Sequence, residues 1–420
     1  MSYSHNHYVP KWYQKRFLSS GKTRYHYLDL QPETSVNNGH IYKRKELHNW
    51  GPELCFAQDD LYTTKWGGIE NRDIEKFFFG SVDSKGQKAV EHFASFRLND
   101  ETHDAFNALV PYMSIQKLRT PKGLAWLENV LKPRNRNETL FKLQQLSNLF
   151  CAIWTEAVWQ IADASKSPTK FIISDHPVVA YNRECFPGSK WCIGSNDPDI
   201  RWVATHTYFP ISLDKVLIMT NLSWVRDPFQ NPVEFRPNPK FLRSSRMFNL
   251  LRIQHERYLS EEEVLEINYI TKKRAFRYIA AAEKEWLYPE RYLRSTNWRK
   301  LGDGYLLMPD PRHIHGGGTI VVGYNDGSGA SWDAYGHRPG QKAYEDKNRE
   351  NREWRMMQKF KAEWAATYGP DYRGVLYDLG FSSNDVRRTM SEKWHQQEVT
   401  LDRKYLKESG ERARRRRLKR

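Results

Sequence analysis

Five polar side chains in this sequence are of the types and at the spacings that catalysis uses: His7, Glu70, Gln116, Arg119 and Asp175. His5 and His7 stand two apart, which puts both on one face of a strand. A neutral imidazole there binds a metal ion or takes a proton near neutral pH; the plain alternative is an ordinary hydrogen-bonded histidine near a terminus. Glu70 and Glu75, in "GGIENRDIEKFFF", open a helix. They either complement the helix dipole or form a carboxylate pair turned toward a site. Gln116 and Arg119 lie at i, i+3 on one helix face, just before Thr120-Pro121 ends it. A guanidinium beside an amide grips phosphate or carboxylate, and the same arginine is equally suited to pin the helix end to a carboxylate such as Asp175. Asp175 belongs to Ser174-Asp175-His176-Pro177, which interrupts an apolar strand because proline has no place in a central ladder. A carboxylate at a strand end reaches a site, by analogy with α/β proteins, or caps the local turn.

A His/carboxylate/amide/Arg set of this kind suits hydrolysis of a phosphodiester, with or without a divalent metal ion. That reading expects His7, Arg119 and Asp175 to meet in one cleft between a sheet and a helical layer. His313 and His315 precede three glycines, but no GK[ST] follows, so the phosphate-loop signal is weak. A serine nucleophile elbow, an H-E-x-x-H and a zinc-deaminase pattern are all missing from the sequence.

The elements that must position these groups follow from pattern. "TRYHYLDL" (23–30) alternates as a strand does, and "VNNGHIYKR" carries an Asn-Gly turn signal before another strand. From about 69 to 165 the period is helical, and "LQQLSNLFCAIWTEAVWQIADA" predicts one long helix with a broad apolar face. "KFIISDHPVVAYN" (170–182) and "THTYFPISLDKVLIMTN" (205–221) predict neighbouring strands of a core sheet, joined by a loop at 183–204. Ser260 with Glu263 three residues on predicts a capping box at the head of a long helix. Strands, helices, strands, helix is the order of an α+β fold: a mixed sheet covered by long helices, with a basic helical C-terminal extension. The division predicted is an α+β domain over 1–288 and an addition over 289–420. That addition has a Gly-rich connector with one strand at Thr319–Val322, aromatic amphipathic helices and a basic tail.

Composition narrows the partners. The chain has 420 residues, 14% aromatic, and a net charge of +16. Such aromatic content belongs to a folded chain, not a disordered one. The charge is uneven: residues 291–420 hold 27 Lys/Arg against 17 Asp/Glu. A basic excess favours nucleic acid or another polyanion, against the alternative of simple solubility. No apolar run approaches the roughly 20 residues of a membrane span, and no apolar leader opens the chain. Of the four cysteines only Cys185 and Cys192 are close, at a separation unlike the short C-x₂₋₄-C spacing of zinc sites. Free thiols in a reducing compartment, hence the cytoplasm, are the expectation.

Four stations in order carry a family resemblance. "HYVPKWYQKRF" resembles the H-x-V-P-x-x-Y-x-x-x-F start of domain-of-unknown-function family 4238, a mainly microbial family. "IQKLRTPKG" (115–123) resembles its Gln-x-x-Arg-Thr-Pro segment, "FIISDHPVV" (171–179) its central Ser-Asp-x-Pro-Val strand, and "FPISLDKVLIM" (209–219) the Pro-Leu-Ser strand that follows. The Asn268 helix with "AFRYI" is similar to its closing helix. The resemblance spans roughly 5–288, and the family name implies no activity.

Two further readings stand beside hydrolysis. In one the polar residues are structural and the chain binds nucleic acid without cutting it. Its tail, with Arg412, Arg414, Arg415, Arg416, Arg417, Lys419 and Arg420, then meets the phosphate backbone. In the other, Trp354, Met357 and Trp364 form a helical stripe that docks a protein partner.

Overall fold

The computed structural model describes residues 5–37, 40–192, 196–242, 248–314 and 318–368, with Val375, Leu376 and Lys407. The chain opens with β1 (His5–His7), the helical turn α1 (Lys11–Lys15), and short strands β2 (Tyr25–Asp29), β3 (Thr34–Asn37), β4 (His40–Lys43), β5 (Leu47–Trp50), β6 (Ala57–Asp59), β7 (Thr64–Trp66) and β8 (Ile69–Asn71). A π-helical turn, Ile74–Phe79, runs into α2 (Gly80–Ala94), followed by α3 (Thr102–Arg119), α4 (Pro121–Leu131), α5 (Arg136–Gln145) and α6 (Cys151–Thr155). Then come β9 (Ala157–Asp163), β10 (Ile173–Ser174), β11 (Val179–Tyr181), β12 (His206–Pro210), β13 (Lys215–Asn221), α7 (Leu222–Arg226), β14 (Gln254–Tyr258), α8 (Glu261–Arg274) and β15 (Tyr278–Ala281). The remainder holds β16 (Thr319–Gly323), β17 (Gly329–Asp333), α9 (Lys347–Tyr368) and β18 (Val375–Leu376).

Two sheets organise this α+β fold. One has the order β11-β12-β13-β9-β14-β18 and is antiparallel except where β14 runs parallel to β9. The other has the order β10-β15-β2-β5 and is antiparallel throughout. The expected core strand at 170–182 is split between them. Its first half, β10, joins the four-stranded sheet, and its second, β11, joins the six-stranded one. The switch falls at Asp175-His176-Pro177, where proline interrupts the ladder.

Local signals explain several elements. Ser260 and Glu263 close the capping box on α8. Asn37 pairs with His40 across the β3–β4 hairpin, while the Asn38-Gly39 turn lies outside the described residues. The opening motif acts as a clasp. Tyr13 Oη donates to the Pro210 carbonyl at 2.6 Å and Arg16 Nε to the Ile211 carbonyl at 2.7 Å. Gln14 Nε2 reaches the Val9 and Cys55 carbonyls at 2.7 and 3.1 Å. The terminus is thereby stitched to the "FPISLDK" strand: Pro210 is 197 positions from Tyr13 in sequence yet adjacent to it in space.

The long helix expected over 143–164 does not exist. After α6 the chain becomes β9, hydrogen-bonded to β13 on one side and β14 on the other. Val158 to Asp163 are all buried, so both faces of this strand are apolar or satisfied internally. An interior strand does not alternate, and its run of apolar residues mimics one face of a helix. The Gly-rich connector also holds more than the single strand expected: β16 pairs with β17 as a hairpin.

The segment after Trp298 lies across the six-stranded sheet. Gln160 Nε2 and Thr220 Oγ1 donate to the Leu307 carbonyl at 2.8 and 3.0 Å, and Arg257 Nη1 donates to the Met308 carbonyl at 3.0 Å. Polar side chains on buried strands thus find partners in a covering loop. Helix α9 packs beside it. Phe360 and Trp364 join Val158, Val203, Trp224 and Met308 in one buried cluster, and Met357 is buried as well. The stripe expected to dock a partner is therefore used within the chain. Met357 and Trp364 are not available to one, and only Trp354 of the three is exposed. The basic tail, Arg412 to Arg420, lies outside the described residues.

Candidate functional site

The C-terminal half of helix α3, Tyr112 to Arg119, is buried all round, so its polar side chains emerge into the interior there. Gln116 and Arg119 share a face, as their spacing requires. Arg119 Nε donates to Gln116 Oε1 at 2.8 Å, and Gln116 Nε2 donates to the Tyr8 carbonyl at 2.9 Å. The carboxylate that pins Arg119 is Asp83 of α2, with Nη2 to Oδ1 at 2.9 Å, and not Asp175. Burial opposes the Arg119 charge, but Asp83 outweighs it and holds the guanidinium firmly protonated.

Glu75 faces the same group from the π-helical turn, a geometry that recurs at functional sites. Asn6 Nδ2 donates to Glu75 Oε2, and the Tyr62 amide donates to Asn6 Oδ1 at 3.2 Å. Tyr62 Oη in turn donates to the Arg119 carbonyl at 2.8 Å. Burial pushes the Glu75 carboxyl up to about 7; Arg119 and Arg72 pull it down, and Asp83 adds to the rise. A carboxyl that changes charge near neutral pH beside a fixed guanidinium has the properties of a proton donor or acceptor.

The other expected members lie apart from this group. Glu70 is on β8, not on a helix, and is exposed; it pairs with Lys65 and Arg72, each at 3.1 Å. His5 and His7 do share a strand face, with ring centroids 5.2 Å apart. His7 Nε2, however, meets the Glu53 carbonyl at 3.2 Å, and burial with Lys11 and His5 lowers its pKa. Glu53 helps line an open hollow of about 480 Å³ with Arg24 and Trp50. Asp175 is fully committed to backbone: it accepts the amides of Phe276, Arg277 and Tyr278 at 2.8, 2.6 and 2.8 Å. Burial lifts its carboxyl to about 6 against those three donors. The segments around His7, Arg119 and Asp175 do adjoin through Tyr8. Its carbonyl takes Gln116, and its hydroxyl feels the Asp175 charge. The three side chains nevertheless have separate partners.

A second polar knot was not anticipated. Asp197 receives Lys122 Nζ at 2.6 Å and Lys117 Nζ at 3.1 Å. His176 Nε2 lies 3.4 Å from Asp197 and 3.2 Å from Lys117, and its Nδ1 is hydrogen-bonded to Thr120 Oγ1 at 2.7 Å. Burial, then Lys117, drives the His176 pKa down to about 3, so the ring is neutral. Burial raises the Asp197 carboxyl, but the two lysines and His176 hold it well below the usual range. The available signal was the pair of lysines flanking Arg-Thr-Pro; Asp197 sits in the 183–204 loop, where no pattern marked it. Among the described residues, no three His, Cys, Asp or Glu side chains gather as a metal site would require.

One surface combines cations with aromatic rings. Arg201 lies over Phe235 and Phe241 at 5.2 and 5.1 Å, and Lys190 lies over Trp191 at 4.8 Å. Trp191 meets Trp202 edge-on at 5.7 Å, and Trp202 is bridged to Phe235 through the backbone. Phe235 is 55% exposed, so a flat ring is presented to solvent.

This combination is an α+β protein with buried polar clusters and a separate aromatic-cationic face. Comparison with known families adds that the family described as "Protein of unknown function (DUF4238)" matches residues 144–285, the same family that the sequence motifs resemble. The opening and Arg-Thr-Pro motifs fall before that matched segment. No curated protein and no solved structure matches the chain. Among the described residues, no helix is long and apolar enough to cross a membrane.

Proposed function

We propose that this chain associates with nucleic acid, in the cytoplasm, by stacking bases on the Trp191–Trp202–Phe235 face and holding phosphates with its basic tail. The observation that carries the reading is that face: the exposed Phe235 and the half-buried Trp191 and Trp202, interleaved with Arg201 and Lys190. Every base has a π-face, so such a platform takes single strands with little sequence preference. Arg201 is tied to Asp199 at 2.5 Å, so it serves to stack and orient, and the tail supplies the free charge. The free cysteines agree with a reducing compartment. Fluorescence anisotropy with labelled single-stranded RNA and DNA tests it. Phe235→Ala and Trp191→Ala are each expected to weaken binding about tenfold, the scale of one lost base stack. Unchanged affinity in both would remove the stacking face.

A hydrolytic reading is favoured by one arrangement: Glu75, held by Asn6 and within the field of the Arg119 guanidinium, with its carboxyl raised to about 7 by burial. It differs from the set expected at the outset, because Glu75 replaces Glu70. Incubating labelled RNA and DNA with the protein, with and without magnesium or manganese, decides it. Cleavage lost in Glu75→Gln with binding retained supports it; no cleavage in any condition sinks it.

A further inference from the structure

Arg274 closes α8 and is completely buried. Its guanidinium lies over the Trp298 ring at 4.8 Å, and it donates to the Cys185 and Asn196 carbonyls. Nε has no acceptor. Among the described residues Arg274 forms no ion pair with a carboxylate. Asp197, in the neighbouring loop, is already shared by Lys117 and Lys122. A guanidinium does not shed its proton, and an uncompensated buried charge is expensive. The ionisable group that touches it is the thiol of Cys192, with Nη1 to Sγ at 3.3 Å. Ser189 Oγ donates to the same sulfur at 3.7 Å. Cys185 adjoins: its carbonyl oxygen is 3.4 Å from Cys192 Sγ.

We propose that Cys192 is held as a thiolate opposite Arg274 and is a peroxide-responsive modification site, with Cys185 as its resolving thiol. The asymmetry of the pair fits those roles. The Cys185 side chain lowers the Cys192 thiol and Arg274 adds to it, against burial, whereas Cys185 is raised. Cys192 is 9% exposed and Cys185 not at all, so a small oxidant meets Cys192 first.

The chemistry balances with hydrogen peroxide as oxidant. The Cys192 thiolate attacks one peroxide oxygen, forming an S–O bond and breaking the O–O bond. The departing hydroxide takes a proton from solvent as water, leaving the sulfenic acid. Cys185 sulfur then attacks Cys192 sulfur. The S–S bond forms, the S–O bond breaks, and the hydroxyl leaves as water with the Cys185 proton. Two thiols lose two electrons, and one peroxide becomes two waters.

The test uses the full chain without denaturant. Alkylation of each cysteine by monobromobimane is followed against pH by peptide mass spectrometry. The Cys192 profile is expected to have its midpoint at least one pH unit below the free-cysteine value of about 8.5. Arg274→Met is expected to move that midpoint upward. Hydrogen peroxide is expected to give a peptide pair joined through Cys185 and Cys192, while Cys185→Ser instead accumulates a dimedone-reactive sulfenic acid at Cys192. A Cys192 midpoint at the ordinary value overturns the thiolate. Peroxide that leaves both thiols reduced, or links neither to the other, overturns the redox role. If Arg274→Met fails to fold, the wild-type profile and Cys185→Ser still decide.

Discussion

Arg119 of α3 and Asp83 of α2 meet at 2.9 Å across the interior, with the arginine side chain 1% exposed and the aspartate 25%. This pair, and not one with Asp175, ties the end of α3 to α2 beside the Arg-Thr-Pro turn. Asp83→Ala would leave the guanidinium buried without a counter-charge, at a cost of about 3 kcal/mol. Urea denaturation checks it, and Asp83→Ala combined with Arg119→Met should cost less than the two changes added. A wild-type midpoint for the single variant would show that the pair contributes nothing.

Asp175 should be a stability residue. Asp175→Ala abandons three part-buried amides of the β15 approach, each costing about 1 kcal/mol or more when unpaired. A loss of about 3 kcal/mol or more is expected, with Asp175→Asn intermediate because it keeps one acceptor. Thermal melts of both variants measure this, and a melt unchanged by alanine would contradict the role.

Glu75 makes a pH-dependent contribution whose sign can be worked out. Its folded carboxyl is raised to about 7, above its unfolded value, so the folded state binds the proton more tightly. The associated stability is full below about pH 4.3 and is lost as pH rises through about 7. Glu75→Gln carries no such loss. Its melting temperature relative to wild type should therefore climb between pH 5 and pH 8. A difference that stays constant or falls over that window would refute the shift.

Helix α9 offers a contrast within one element. Trp364→Ala empties a buried site and should cost about 3–5 kcal/mol, whereas Trp354→Ala, on the exposed side, should stay within about 0.5 kcal/mol. Chemical denaturation of the two variants separates them. Equal effects would mean that α9 does not dock as described.

Deleting Gly410–Arg420 tests the tail. Little apolar area leaves with it, so the melting temperature should hold. Affinity for single-stranded nucleic acid at low salt should fall, and the salt slope should shrink by about 0.7 for each phosphate that the tail no longer neutralises. Titrations of both proteins at two salt concentrations settle it; equal affinities would assign the tail to solubility alone.

Local pattern carried much of this protein. The alternation of Tyr25 to Asp29, the Ser260 capping box, the placement of Gln116 and Arg119 on one helix face and the break at Asp-His-Pro all depend on near neighbours, and each is where its spacing put it. The order of those elements was enough for the α+β class and, with four short motifs, for the family resemblance. Tertiary structure alone decided the rest. Val158 to Asp163 looked helical because burial on both faces erases the period of two, and only the presence of β13 and β14 on either side makes it a strand. Glu70 and Glu75 are indistinguishable by composition, yet one ends on an exposed hairpin and the other against Asn6 in the interior. Asp83 chose Arg119, Asp197 chose two lysines, and Cys192 was left to Arg274. Such pairings join residues tens of positions apart, and they are settled by which charges the packed core leaves without water, a quantity that no local spacing encodes.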